Sequence, residues 1–130
     1  MVESLEVWDT PFASKRFPSV NIEPAKGSVA EISVRVRCRG ATYKVQFKFA
    51  ASFKCTDESI FPVDRFNRLP RSGDSCCYLW KESPWCREFG ECLAQVEATY
   101  GCSTLRHYVI LGGDNVVEVL AVSNPTVEMD

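Results

Sequence analysis

Residues 84–100 read PWCREFGECLAQVEATY and residues 105–122 read LRHYVILGGDNVVEVLAV, and the step from the first to the second sets the expected fold class. In the first stretch Trp85, Phe89, Cys92, Leu93, Val96 and Tyr100 recur at three- and four-residue intervals, the spacing of an amphipathic helix. Ser83 is a fitting N-cap, Pro84 suits the first helical turn, and Gly101 suits the stop. Arg87, Glu88, Glu91, Gln95 and Ala98 then fall on the outer face. In the second stretch the turn formers Gly112-Gly113-Asp114-Asn115 separate His107–Leu111 from Val116–Val122, which predicts a hairpin. Val109 and Leu111 lie on one face of its first strand and Tyr108 and Ile110 on the other. A strand apolar on both faces belongs in the middle of a sheet.

Upstream, Val29 to Cys38 alternates cleanly, with Ile32, Val34, Val36 and Cys38 on one side and Glu31, Ser33, Arg35 and Arg37 on the other. Thr42 to Phe49 repeats the period, with Tyr43, Val45, Phe47 and Phe49 inward. A two-residue turn at Gly40-Ala41 pairs Val36 with Val45, Val34 with Phe47 and Ile32 with Phe49, so that all the apolar side chains share one face. The same register sets Arg37 opposite Lys44 and gathers Arg35, Arg37, Arg39, Lys44 and Lys48 outside. Like charges facing each other destabilise a sheet. Either acidic side chains from elsewhere cover this face, or it is open to a partner.

The remaining segments read less regularly. Residues 1–28 are interrupted by Pro11, Pro18, Pro24 and Gly27 but are too apolar for a free tail, so they are expected to lie over the domain with an edge strand near Ser19–Ile22. Residues 50–75 read as a long loop pinned by Phe61 and Phe66, with Arg65, Arg68 and Arg71 spaced three apart; long loops often carry function. Cys76–Trp80 reads as a short strand and residues 123–130 as a tail. The sum is one α+β domain over residues 1–130: a mainly antiparallel sheet of about five strands with the helix of residues 84–100 packed on one face.

Composition narrows the functional classes. The 130 residues are 45% hydrophobic and 25% charged, enough for one buried core. No signal-like or membrane-spanning run is apparent, which points to the cytoplasm. The seven cysteines are then expected to be free thiols, mostly small apolar fillers. The net charge of −2 divides unevenly: residues 26–71 carry a balance of +6 and residues 72–130 a balance of −6. A basic strand face and an acidic helix face are thus available to a charged partner.

No constellation for catalysis is legible. No two cysteines have zinc-knuckle spacing, so neither a metal nor a cofactor is expected. His107 is the only histidine; in the hairpin register it shares a face with Leu120 and lies diagonal to Glu118, an arrangement that ordinarily satisfies a buried ring. Leu111-Gly112-Gly113-Asp114 lacks the pattern of a phosphate loop, and Asp114 would repel phosphate. The pI near 5.5 and the absence of aromatics among the outward strand residues weigh against nucleic acid.

Ser83-Pro84-Trp85, Arg106 to Ile110, and Asp114 to Ala121 together resemble the C-terminal part of small uncharacterised bacterial α+β proteins. The resemblance implies a small bacterial domain, and by analogy with immunity proteins a protein partner. The leading expectation is therefore a non-enzymatic protein-binding module, with Arg35, Arg37, Arg39, Lys44, Lys48, Glu88 and Glu91 as contact candidates. A second expectation is a small enzyme or ligand binder whose site lies between the 61–71 loop and the C-terminal hairpin, using His107, Glu118 and Arg65. Nucleic-acid binding through the basic strand face ranks third.

Overall fold

The computed structural model describes residues 2–24, 31–90 and 105–130. Among these, nine strands form: β1 (Ser4–Val7), β2 (Ser19–Pro24), β3 (Ile32–Cys38), β4 (Ala41–Phe47), β5 (Ala50–Asp57), β6 (Cys77–Lys81), β7 (Arg106–Leu111), β8 (Asn115–Ala121) and β9 (Thr126–Met129). They build two antiparallel sheets, one ordered β1-β6-β7-β8-β5 and the other β2-β3-β4-β9.

This corrects the expected single sheet backed by one long helix. The inward residues of β3 and β4 need apolar cover, and a second sheet supplies it. Val34, Val36, Val45 and Phe47 share a core with Tyr108, Ile110, Val117 and Val119. The opposite face of β7 and β8 is apolar too and needs cover of its own. There Val109 and Val116 join Leu5, Tyr78, Trp80, Phe61 and Phe66 in a second core. A short helix, α1 (Val63–Asn67), brings Phe66 to it. Residues 84–90 form a further helical piece, α2, while residues 91–100 of the expected helix lie outside the described residues. β7 is the central strand of its sheet, in keeping with its two apolar faces.

Other expectations are corrected at the margins. The edge strand expected near Ser19–Ile22 forms as β2, and the N-terminal segment adds β1, with Phe12 in the inter-sheet core and Trp8 packed against it. The supposed loop begins with β5, hydrogen-bonded along β8, and the supposed tail contains β9, which pairs with β4. In the β3–β4 hairpin the turn residues are Arg39-Gly40, with Gly40 at φ 90°, a conformation suited to glycine. Val36 therefore faces Tyr43, Val34 faces Val45, and Ile32 faces Phe47. Partners move by two residues, so the inward set is kept. Phe49 leaves the strand and is 52% exposed.

The hairpin turn between β7 and β8 is locked onto the start of β2. Asp114 accepts hydrogen bonds from the Ser19 hydroxyl and the Val20 N–H, and the Asn115 amide donates to the Val20 carbonyl. Gly112 sits inside this contact: a Cβ there would lie 2.6 Å from the Asn115 carbonyl oxygen and 2.9 Å from that of Pro18. Gly112→Ala is expected to cost about 1–3 kcal/mol, since backbone must move. In a chain of this size that lowers Tm by roughly 3–5 °C per kcal/mol. An unchanged Tm would show that the turn and the Pro18 segment do not meet this way.

Candidate functional site

The described residues do not fully cover the outer face of the five-stranded sheet. Between α1 and α2 lies a hollow of about 330 Å3, lined by Lys54, Thr56, Phe61, Pro62, Arg65, Trp80, Ser83, Pro84, Trp85, Glu88, His107 and Glu118. Strand alternation places its floor. His107 on β7 lies opposite Leu120, and Glu118 on β8 lies opposite Lys54 on β5. The chain leaves β6 through Glu82, which adopts a left-handed φ of 57°. That conformation costs a non-glycine residue roughly 1–2 kcal/mol and delivers Ser83 directly to the start of α2.

His107 organises the floor. Its ring stacks on Trp80 at 5.0 Å between centroids and meets Trp85 edge-on at 5.1 Å. Nδ1 is 2.7 Å from the Ser83 hydroxyl and Nε2 is 3.0 Å from Glu118 Oε1. The Ser83 oxygen also accepts the Cys86 N–H and so caps α2. A neutral ring protonated on Nε2 serves every partner: Nε2–H donates to Glu118, and Nδ1 accepts the Ser83 hydroxyl proton. All three residues are buried. Both ring nitrogens are engaged, and through them His107 fixes the orientation of Glu118 and Ser83. The second carboxylate oxygen of Glu118 has no partner among the described residues.

The cations of the hollow are engaged. The Lys54 ammonium lies 3.9 Å from the centre of the Trp85 ring. Arg65 pairs with Glu3 at 3.3 Å, and Glu3 also accepts the Trp80 indole N–H. Glu88 is exposed at the rim with no ion-pair partner among the described residues.

The structure thus brings Arg65, His107 and Glu118 around one hollow. Trp80, Trp85, Lys54 and Ser83 went unread as site residues. Trp85 reads as part of a helix's apolar face and Trp80 as the end of a short strand, on either side of an N-cap serine. The basic strand candidates lie elsewhere, on the outer face of the four-stranded sheet. Arg35, not Arg37, faces Lys44, and Arg37 faces Thr42. Arg35 is bound by Glu23 and Asp130, and Glu128 stands opposite Lys44. Acidic side chains from β2 and β9 therefore cover the centre of this face. Arg37, Arg39 and Lys48 remain exposed around it, and Glu91 lies outside the described residues.

A second hollow, of about 460 Å3, is lined by Lys15, Arg16, Phe17, Asp74, Cys76 and neighbouring residues. The hydrogen bond with Cys77, together with burial, pushes the Cys76 thiol up, away from the reactive thiolate. Cys38, Cys55, Cys76, Cys77 and Cys86 are all free, and of these Cys76 and Cys77 are buried. Among the described residues no group of three or more His, Cys, Asp or Glu could hold a metal ion, and no helix is long and apolar enough to cross a membrane.

Two carboxylates outside the hollow are tied to the fold. The Arg35 hydrogen bond holds Glu23 below its ordinary value. Burial raises Asp114, but the Val20 N–H, the Ser19 hydroxyl and the Asn115 N–H outweigh it and leave the group lowered. A lowered folded-state pKa gives stability that is present above the unfolded value and lost as pH falls through the folded one. Unfolding free energy is therefore expected to drop below about pH 4, where unfolded carboxylates titrate. Asp114→Asn should flatten that drop; an unchanged acid limb in the variant would exclude this origin.

No family model, no curated protein and no solved structure matches this chain.

Proposed function

We propose that this chain binds a small molecule in the hollow over β5–β8. The observation that carries the reading is the hollow itself. Aromatic walls from Trp80, Trp85 and Phe61 surround a floor where His107 and Ser83 hold one carboxylate, Glu118, in a fixed orientation. Apolar walls with a few convergent polar groups, set on strands, are the usual make-up of a ligand site. A broad metabolite library read by thermal shift tests the proposal. A stabilising compound whose effect is lost in Trp85→Ala supports it. No stabilisation by any compound, with Trp85→Ala behaving as the parent, overturns it.

A second reading, recognition of a protein, is favoured by β5. This strand is outermost among the described strands of its sheet, with Phe53 43% exposed and Cys55 exposed beside it. Such an edge can accept a further strand. Recovery of the chain alone from its native host, at every salt concentration, would count against a partner.

A further inference from the structure

We infer that the hollow takes an organic ammonium ion with an apolar body, held by Glu118 and the indole walls; this rests on the small-molecule reading above. The charges lining the hollow do not balance. Two cations line the hollow, and both are committed, Lys54 to the Trp85 ring and Arg65 to Glu3. Two carboxylates line it as well. Glu118 spends one oxygen on a ring N–H and has no Lys or Arg partner among the described residues, and neither has Glu88. The unmet charge is negative, so an entering cation is favoured and an entering anion is opposed.

Lys54 shows what the walls accept. It stands directly across from Glu118 on the neighbouring strand. Its ammonium nevertheless rests over the Trp85 indole and makes no ion pair with that carboxylate within 4 Å. The electron-rich face of an indole attracts ammonium groups. Lys54 is an exposed side chain on an edge strand, so it can swing out into water. It acts as a resident ammonium that a ligand displaces. Trp80, stacked flat on His107, forms a second wall against which the body of an aralkyl or alkyl amine can lie.

The test uses three probes of like shape and different charge: 2-phenylethylammonium, 2-phenylethanol and phenylacetate, at equal ionic strength. Indole N–H resonances report the site, because Trp80 and Trp85 line the hollow while Trp8 packs against the inter-sheet core. The ammonium probe is expected to shift Trp80 and Trp85, leave Trp8 in place, and bind more tightly than both isosteres. Lys54→Met removes the competing ammonium and should tighten binding by about two- to fivefold. Glu118→Gln keeps an acceptor for His107 but loses the charge, and should weaken binding at least tenfold. Unchanged melting temperatures in both variants would exclude misfolding as the cause. Equal or tighter binding of phenylacetate or 2-phenylethanol overturns the ammonium inference but leaves a ligand site in place. Looser binding in Lys54→Met overturns it too. No response to any of the three probes also overturns it, while the library screen separately decides whether the hollow binds small molecules at all.

Discussion

Phe47→Ala is expected to lower the unfolding free energy by about 3–5 kcal/mol. Phe47 is fully buried at the end of β4, where the two sheets and the N-terminal segment converge. Its ring lies 5.3 Å from Tyr108 and 6.4 Å from Trp8. Those neighbours belong to two separate stretches of chain, each fixed by its own hydrogen bonds, so the space left by the ring cannot close. Phe49→Ala is the informative control. In the sequence the two phenylalanines are two residues apart and read as equivalent inward positions. In the structure Phe49 is half exposed beyond the strand end, and its loss should cost less than about 1 kcal/mol. Equilibrium denaturation with an unchanged m-value measures both. Equal costs would mean that β3 and β4 pair in the other register.

His107→Ala should be the costliest change at the hollow, by roughly 3 kcal/mol or more. The ring is held between two indoles and bonded at both nitrogens. Truncation opens a cavity and deprives both the Ser83 hydroxyl and the Glu118 carboxylate of a partner. Ser83→Ala loses a helix cap and one bond, about 1 kcal/mol. Glu118→Gln keeps the acceptor and should cost less still. Urea titrations of the three variants give the order directly. If His107→Ala falls within 1 kcal/mol of the parent, water fills the space without penalty, and the ring is not what organises the floor.

What could be read beforehand, and what could not, follows from burial. β3, β4, β7 and β8 each press several consecutive inward residues against a core, so their alternation is long enough to see. The pairing of His107 with Leu120, and its diagonal reach to Glu118, follows from the turn at Gly112–Asn115 alone. Among the described strands, β1, β5 and β9 lie at sheet edges. β9 has one half-buried apolar residue, Val127, between exposed ones, and β5 exposes Phe53, Lys54 and Cys55 in succession. Without a buried face nothing imposes an alternating pattern, and such strands read as loop or tail. Without them the five-stranded sheet loses both edges and the four-stranded sheet loses one, which leaves the helix as the only visible cover. The β3–β4 register went astray for a smaller reason: glycine fits either position of a two-residue turn, and a two-residue slip leaves every side chain on its own face.

The pairing of β4 with β9 joins parts of the chain that lie far apart in sequence. β2, β3 and β4 follow one another along the chain, and each can pair as soon as its neighbour is made. Thr126, however, pairs with Gln46, eighty positions earlier, and Leu5 pairs with Trp80. Contacts so distant require large loops to close before they stabilise anything. Folding is accordingly expected on a timescale of milliseconds to seconds, typical of all-β domains. Until β9 docks, the outer edge of β4, with Tyr43 and Val45 on it, is unpaired. The molecule is most open to self-association in the moments before its last strand docks.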